Sequence, residues 1–399
     1  MVALGGATLP AVGASASGPQ VATQDFSAGG ALGYGDAMKL SAIHEAGITG
    51  KAVTIAVFDG GLYPEVASLQ GADIDVRELE QCPDPTTPAP AEFDSLQHGT
   101  STTSLIVGNG TSDNGSGPIG IAPDVKILYY GVLQAACDGD VFPSALDDAV
   151  AQGADIVSMS GGSRRLADEL SQPAADAVKA ALRAGVLIVT SLPNADSAWE
   201  NELGAINGVV NVASVDATAH VAKERDGSDM ANADVDVVAP GVDIAGLGWD
   251  NSWGMSMWSG NSAATPIVAG LLALAKEKWP DATSSQLLQS LIRNTGSTPR
   301  ELQWSNTYGH GTVNATRLIE EDPSQYPEEN PLFTDGQVPA FDEVYGEPSP
   351  APKAGADEPD SLAAALPWVA GATAFVLIGV PVLVVVSRRR STAGASSPR

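Results

Sequence analysis

The stretch VTIAVFDGG, Val53–Gly61, decides the fold. Its first six residues, Val53–Phe58, form a continuous apolar run rich in β-branched side chains, which is typical of a parallel strand buried on both faces. Asp59 follows this run directly. Because functional side chains of open parallel sheets collect beyond the carboxyl ends of the strands, the stretch predicts a buried strand with a candidate functional carboxylate at its end.

Strands and helices alternate along the chain on both sides of this stretch. Similar apolar runs predict strands at Val125–Tyr130, Asp155–Ser160, Val186–Ser191, Val209–Val215 and Val235–Pro240. Apolar positions at helical spacing predict helices at Met38–Gly47, Pro143–Ala154, Ala174–Ala184, Ser262–Trp279 and Ser284–Arg293. This alternation predicts an α/β domain with a central, mostly parallel sheet that helices cover on both faces.

Length and charge restrict the classes of function. The chain has 399 residues, 44% of them hydrophobic, which is enough for one large α/β domain with attached segments. Its formal net charge is −28, and a field of that sign repels the phosphates of nucleic acid. We therefore exclude DNA and RNA as partners, and we interpret the acidity as a solvated surface rather than as a site for basic substrates.

Three short segments carry residues suited to nucleophilic catalysis. Asp59 follows the first strand, His98 lies in QHGTSTTSLIVG, and Ser262 lies in WSGNSAATPIVAG at the start of a predicted apolar helix. A serine hydroxyl needs a base in contact, histidine can take its proton near neutral pH, and a buried carboxylate orients the imidazole. Taken singly, each residue has a simpler interpretation: a turn aspartate, a loop histidine and a helix N-cap serine.

Together, these segments resemble the motifs of the subtilisin-like (S8) serine peptidases. His-Gly-Thr is intact at residues 98–100, Asp-Gly-Gly at 59–61 matches the family's Asp-Thr-Gly, and residues 260–270 match its Gly-Thr-Ser-Met-Ala-Thr-Pro-His-Val-Ala-Gly segment. The order Asp, His, Ser along the chain is that of subtilisin. The resemblance covers Met38–Arg317 and implies a subtilisin-like three-layer fold. It also implies a serine endopeptidase that acts on protein or peptide substrates without a cofactor.

The resemblance also assigns roles to further residues. The segment VLIVTSLPN matches the family strand that ends in the oxyanion asparagine, which makes Asn194 the oxyanion donor. The backbone N–H of Ser262, at a helix N-terminus, is a second candidate donor. The segment Ser160, Gly161 and Gly162 resembles the edge to which an extended substrate adds by backbone hydrogen bonds.

Three departures from the family pattern lie beside these residues. Gly60 and Asn261 stand where the family has threonine, and Pro193 stands where it has glycine before the asparagine. None of them removes a member of the triad. They leave a second hypothesis open, in which the chain is a catalytically weakened pseudo-protease that acts as a scaffold in a secretion complex.

The segments outside the peptidase domain have their own composition. Ala14-Ser15-Ala16 fits a signal-peptidase site, so the first 16 residues are either the remnant of a signal peptide or a flexible terminus. Residues 17–37 are rich in small residues and predict a flexible segment, whereas 318–365 are acidic and Pro-rich and predict a spacer. We therefore predict the peptidase domain at 38–317.

Leu366–Val386 predicts a transmembrane helix. The run contains 21 residues without a charge, which matches the hydrocarbon thickness of a bilayer. A buried core helix is the alternative, but the run is terminal, with Trp368 near one end and Arg388–Arg390 after the other. The positive-inside rule then places the basic tail, residues 387–399, in the cytoplasm and the peptidase domain outside the cell membrane.

This layout resembles the mycosins, membrane-anchored proteases associated with type VII secretion, and implies a membrane secretion complex as partner. Cys82 and Cys137 predict one disulfide in an exported protein, and two free thiols are the alternative. In the sequence, no CxxC or His-rich spacing indicates a metal site, and calcium, which is common among subtilisin-like peptidases, has no clear cluster of ligands.

Overall fold

In the computed structural model of the chain, the predicted parallel sheet forms the centre of the fold. The described residues are 30–87, 93–161, 171–194, 206–223, 227–248, 252–297, 302–333 and 339–346. Their strands are β1 (Thr54–Phe58), β2 (Asp73–Arg77), β3 (Asn109–Ser112), β4 (Gly115–Ile119), β5 (Lys126–Tyr130), β6 (Ile156–Met159), β7 (Leu187–Ser191), β8 (Val210–Val215), β9 (Val237–Pro240), β10 (Ile244–Leu247) and β11 (Met255–Trp258). Seven of these strands form one parallel sheet in the order β2-β5-β1-β6-β7-β8-β9.

Helices cover both faces of this sheet. They are α1 (Gly33–Ala37), α2 (Leu40–Glu45), α3 (Phe93–Val107), α4 (Phe142–Ala151), α5 (Gln172–Arg183), α6 (Asn261–Lys278), α7 (Ser284–Arg293), α8 (Ala315–Glu320) and α9 (Phe341–Tyr345). Alternate residues of β1 enter different cores. Ile55 and Val57 pack in the core that contains α3 and α6, whereas Ala56 and Phe58 pack in the core that contains α4 and α5. This two-sided burial explains why the run in β1 is apolar at every position.

Two antiparallel hairpins lie outside the sheet. They are formed by β3 with β4 and by β10 with β11, and the second hairpin leads directly into α6. The two hairpins are joined at Asn114, whose Oδ1 accepts the main-chain N–H of Met255 at 2.9 Å. None of these four strands was predicted: β3 and β4 are short and polar, and β10 and β11 are only four residues long.

The fold begins before Met38, the predicted boundary. Residues Gly30–Leu32 form a 3-10 helix that is followed by α1. Tyr34 in α1 is 2% exposed, and its hydroxyl donates to the carbonyl of Ile119 (2.7 Å) and accepts the N–H of Ile119 (2.9 Å). The part of the predicted flexible segment that the structure describes is therefore anchored. A buried tyrosine helps to anchor it, together with Ala31, Leu32 and Ala37, which pack against the core, and a composition rich in small residues does not reveal these contacts.

The fold also continues past Arg317, where the spacer was predicted to begin. Leu318 and Ile319 are buried in α8, and Val344 in α9 is 4% exposed. The carbonyl of Val344 accepts a hydrogen bond from Arg183 Nε at 2.9 Å. Residues 318–333 and 339–346 thus belong to the folded domain, because a few apolar side chains and backbone carbonyls bind them to its surface.

The predicted transmembrane segment, Leu366–Val386, lies outside the described residues, as do the predicted signal remnant and the basic tail. Within the described residues, no helix combines the length and apolar character needed to cross a bilayer.

Candidate active site

Asp59 lies just beyond the carboxyl end of β1, as predicted, and is 1% exposed. Its Oδ1 accepts the main-chain N–H of Gly60 at 2.7 Å, and its Oδ2 accepts the hydroxyl of Thr102 at 2.8 Å. Its own N–H donates to the carbonyl of Tyr130 on the neighbouring strand β5 at 3.1 Å. The carboxylate is therefore buried, hydrogen-bonded on both oxygens and fixed to the sheet.

His98 reaches this carboxylate from helix α3. Its Nδ1 lies 2.7 Å from Oδ1 of Asp59. Because a carboxylate only accepts hydrogen bonds, Nδ1 carries the proton in the neutral ring and Nε2 keeps its lone pair. Burial disfavours the imidazolium, but the charge of Asp59 and its hydrogen bond favour it more, so the pKa of His98 is raised above its ordinary value. The side chain is 31% exposed and open to a substrate.

Glycine at position 99 lets α3 approach the turn that follows Asp59. A Cβ there would collide with the hydroxyl of Tyr129 and with the carbonyl of Gly61. The Tyr129 hydroxyl donates to the carbonyls of Gly61 (2.8 Å) and Gly60 (3.2 Å). Burial and the charge of Asp59 raise the pKa of Tyr129 well above its usual value, so it remains a hydrogen-bond donor.

The departure at Gly60 is explained by Ser95. A Cβ at position 60 would collide with the Ser95 hydroxyl, which accepts the N–H of Gly61 at 3.1 Å. A threonine at this position would displace Ser95. The glycine at position 60 thus leaves room for Ser95 of α3, whose hydroxyl supports the turn.

Ser262 is the second residue of α6 and is half-buried. Its N–H belongs to the first turn of the helix, where main-chain donors have no partner within the helix. Among the described residues, the Ser262 hydroxyl has no hydrogen-bond partner, so the structure does not join it to His98. The two segments nevertheless meet, because the rings of His98 and of Trp258, four residues before Ser262, pack in a T-shaped arrangement with centroids 5.5 Å apart.

Asn194 follows β7 and lies against the start of α6. Its Oδ1 accepts the main-chain N–H of Asn261 at 3.1 Å. A Cβ on Gly260 would lie 3.4 Å from its Nδ2, which places the amide nitrogen beside the residues that precede Ser262. The predicted oxyanion donor and the predicted nucleophile are therefore brought together.

The predicted substrate-binding segment begins where β6 ends. Phe58 pairs with Met159, so Ser160 lies beside Asp59 at the carboxyl edge of the sheet. Ser160 is buried and Gly161 is half-buried next to Leu133. Gly162 lies outside the described residues. Because β6 pairs with both β1 and β7, any pairing with a peptide would have to occur beyond Met159.

A disulfide joins Cys82 and Cys137. It connects the loop after β2 to the loop after β5, and the N–H of Asp138 donates to the carbonyl of Gln81 at 2.7 Å. In the first loop, the carbonyl of Pro85 accepts the N–H of Leu62, three residues after Asp59. The disulfide thus lies in loops that border the turn after Asp59.

Several residues of the site were not predicted from the sequence. Thr102, Ser95 and Tyr129 support Asp59 and its turn, Trp258 contacts His98, and the side chain of Asn261 is fully buried. The spacing of His98 and Thr102, one helical turn apart, would have placed them on one face of a helix if α3 had been predicted. The other contacts join distant parts of the chain and leave no local pattern.

Comparison with known proteins identifies the family. Residues 50–311 match the profile of the subtilase family, Peptidase_S8, and this range contains Asp59, His98, Asn194 and Ser262. Subtilisin Savinase from Lederbergia lenta is 30% identical over 280 residues, which cover 69% of this chain and 93% of the relative. The thermostable alkaline protease of Halalkalibacterium halodurans is 29% identical over 281 residues, which cover 69% of this chain and 70% of the relative.

Solved structures share the fold at lower identity. The prenylagaramide maturation protease PagA is 22% identical with a TM-score of 0.54, and the alignment covers 70% of this chain and 98% of that one. Fervidolysin from Fervidobacterium pennivorans, a keratinolytic enzyme related to subtilisin, is 20% identical with a TM-score of 0.53 over 70% of this chain and 44% of that one. The profile match over most of the domain, together with the curated relatives, places the chain in the subtilase family, as a subtilisin-like serine endopeptidase.

Proposed function

We propose that Asp59, His98 and Ser262 form the triad that hydrolyses peptide bonds in this chain. The Ser262 hydroxyl adds to the scissile carbonyl while Nε2 of His98 takes its proton. His98 then returns that proton to the leaving amine, the C–N bond breaks, and an acyl-enzyme remains. Water adds to the acyl group with His98 again as the base, which releases the carboxylic acid and restores the Ser262 hydroxyl.

The 2.7 Å hydrogen bond between Asp59 and His98 carries this proposal. It orients the imidazole with Nε2 directed away from the carboxylate, and Asp59 stabilises the imidazolium that forms during the reaction. The contact of Trp258 with His98 supports the approach of the Ser262 segment to the ring. Catalytic contacts of this kind are often long before substrate binds and tighten afterwards, so a Ser262 hydroxyl without a partner among the described residues is compatible with this role.

Asn194 and the main-chain N–H of Ser262 would bind the oxyanion. The side-chain amide of Asn194 lies against the start of α6, next to the proposed nucleophile. A side-chain donor of this kind contributes about 2.7–4 kcal/mol to the transition state, a value measured for subtilisin itself. The segment beyond Met159, with Ser160, Gly161 and Gly162, would bind the extended substrate through its backbone.

A pseudo-protease scaffold is the alternative, based on Gly60, Pro193 and Asn261. Two of these departures are accompanied by hydrogen bonds from neighbouring side chains. Ser95 supports the turn at Gly60, and the Asn261 side chain donates to the carbonyl of Pro193 at 3.3 Å. These contacts favour an intact site over a degenerate one.

We also propose that the chain is held at the outer face of the cell membrane by Leu366–Val386. The length of this run, its lack of charge and the arginines at 388–390 support this topology. The acidic, Pro-rich composition before it and the basic tail after it resemble the mycosins. That resemblance supports a membrane secretion complex as the setting and protein substrates as the targets.

Hydrolysis of casein by the full-length chain in detergent tests the catalytic proposal. Ser262→Ala should abolish hydrolysis, with a loss of about 10⁶-fold in kcat if the enzyme behaves as subtilisin does. Ser259→Ala is the matched control, because Ser259 is exposed three residues earlier and its hydroxyl accepts the N–H of Asp243 at 2.9 Å. Hydrolysis that persists in Ser262→Ala at the rate of the control would refute the proposed nucleophile.

A further inference from the structure

Asn261 is a buried amide at the first position of α6, between Gly260 and Ser262. Its exposure is 0%. The family pattern has threonine at this position, so the amide is a departure whose consequence depends on its surroundings. A buried amide has two donor hydrogens and an acceptor oxygen, and each requires a partner.

The surroundings satisfy every group of this amide. Its Oδ1 accepts the main-chain N–H of Ser214 at 2.8 Å and the Ser214 hydroxyl at 2.9 Å. Its Nδ2 lies within hydrogen-bonding distance of the carbonyl oxygens of Leu192 (3.2 Å), Pro193 (3.3 Å) and Met230 (3.0 Å). An N–H can only donate and a carbonyl can only accept, so these partners permit a single orientation of the amide.

Asn261 also contacts the proposed oxyanion donor directly. Its main-chain N–H donates to Oδ1 of Asn194 at 3.1 Å. Since this N–H can only donate, it selects the orientation of Asn194 in which the oxygen faces α6 and Nδ2 occupies the other branch of the planar amide. The side chain of Asn261 meanwhile binds the carbonyls of Leu192 and Pro193, the two residues that precede Asn194. Asn194 is thus held through its side chain and through its backbone.

We propose that Asn261 is a positioning residue that sets the orientation of Asn194 toward the oxyanion formed when Ser262 attacks. This inference rests on the proposed function, in which Asn194 donates to that oxyanion. Threonine cannot make the same contacts, because its hydroxyl has one donor hydrogen and cannot serve three carbonyls. The amide is therefore a local solution for fixing Leu192–Asn194 to the helix that carries Ser262.

Asn261→Asp removes the donors and keeps the shape. Its carboxylate can still accept from Ser214, but it cannot donate to the three carbonyls. We expect kcat to fall and KM to stay nearly unchanged. The loss in kcat should not exceed the cost of removing an oxyanion donor in subtilisin, which is about 10²–10³-fold. Asn261→Thr, the family residue, should fall less, and it carries the same test if the aspartate variant does not fold. Peptide-anilide hydrolysis by the full-length chain in detergent measures both constants.

The decisive comparison is a double-mutant cycle with Asn194→Ala. If Asn261 acts through Asn194, its substitution lowers kcat in the wild-type background and produces no further loss in Asn194→Ala. A merely structural role would lower kcat by the same factor in both backgrounds. That additive result, a change confined to KM, or unchanged kcat in the Asn261 variants would overturn the inference.

A control separates positioning from loss of stability. Asn330 is also a buried amide, 6% exposed, whose Oδ1 accepts the N–H of Leu332 at 2.9 Å and whose Nδ2 donates to the carbonyl of Gly208 at 3.4 Å. Asn330→Asp should lower the Tm and leave kcat unchanged. If it lowers kcat as much as Asn261→Asp does, the effect reflects stability and the inference fails.

Failure of the inference can be told apart from failure of the proposed function. If Ser262→Ala remains active, the proposed triad is wrong. If Ser262→Ala is inactive but Asn194→Ala keeps its kcat, the triad stands, whereas the oxyanion role of Asn194 and the positioning role of Asn261 both fail. If both of these variants behave as expected and the Asn261 cycle is additive, the positioning role alone is wrong.

Discussion

Oδ1 of Asp59 lies 2.7 Å from Nδ1 of His98, with Oδ2 held by Thr102. Burial of the ring opposes protonation, but the charge of Asp59 and its hydrogen bond raise the pKa of His98 above its ordinary value. Because His98 must be neutral to act as a base, we predict that kcat/KM increases with pH through a midpoint above about 6.5.

Asp59→Asn provides the comparison for this pH profile. The amide removes the charge while the burial of His98 remains, so the midpoint should move to lower pH. The same substitution in a serine protease of another fold lowers kcat about 10⁴-fold, and we expect a loss of that order here. Identical midpoints in the two proteins would show that Asp59 does not control the protonation of His98.

We predict that Asp236, a residue outside the candidate site, makes the stability of the fold depend on pH. Burial raises the pKa of this carboxyl to about 7, and the charge of Asp234 adds to the increase, while hydrogen bonds from Asn211 oppose it. A pKa raised by folding means that stability falls as pH increases from about 3.8, the unfolded value, through 7. Asp236→Asn should therefore raise the Tm more at pH 8 than at pH 5. The amide oxygen can still accept the N–H of Asn211, which Oδ2 accepts at 2.8 Å in the wild type.

Scanning calorimetry of both proteins at the two pH values tests this prediction. Other titrating groups are common to the wild type and the variant, so the difference in Tm reports on Asp236. An equal shift at pH 5 and pH 8 would mean that Asp236 is not protonated in the folded protein near neutral pH.

The described C-terminal residues up to Gly346 belong to the folded domain, and we predict that removing them lowers the free energy of unfolding. Backbone carbonyls of this segment accept hydrogen bonds from at least four side chains of the domain, those of Arg183, Asn207, Gln286 and Gln289. At about 0.5–1.5 kcal/mol for each bond, truncation after Asp322 should lower the free energy of unfolding by at least about 2 kcal/mol. Truncation after Gly346 keeps these bonds and is the matched control. Equal urea midpoints for the two truncations would show that the segment contributes nothing.

Six of the seven strands of the central sheet were predictable because they are almost entirely buried on both faces, whereas the edge strand β2, which is partly exposed and largely charged, was not predicted. Val53–Phe58 and Val186–Ser191 are apolar runs, and they form β1 and β7. The hairpins and the terminal helices were not predictable in this way. Tyr34 and Val344 help to anchor their segments through contacts with distant residues, and such contacts produce no periodic pattern in the sequence.

The candidate site shows the same division. Asp59 and Ser262 could be placed because Asp59 follows the apolar strand β1 and Ser262 lies in the first turn of the apolar helix α6. The helix around His98 was missed, because HGTSTTS is rich in residues with weak helix propensity. Gly99 permits the close approach of this helix to the turn after Asp59, and that contact exists only in the folded chain.

The membrane topology is tested on intact cells. If Leu366–Val386 spans the membrane with the basic tail inside, added protease should digest the peptidase domain and spare an epitope placed after Arg390. Truncation after Asp360 should release a soluble, active enzyme. Digestion of the C-terminal epitope with protection of the domain would reverse the proposed orientation, and a truncated chain that stays with the membrane would identify another anchor.

The most direct test of the catalytic assignment is labelling with a fluorophosphonate probe, followed by mass spectrometry of the labelled peptide. The probe reacts with a serine that a neighbouring base activates. We predict one modified peptide, with the label on Ser262. We also predict that His98→Ala is not labelled, although its circular dichroism spectrum shows that it is still folded. Absence of labelling in the wild type, or a label on another serine that survives His98→Ala, would contradict the assignment and favour the pseudo-protease scaffold.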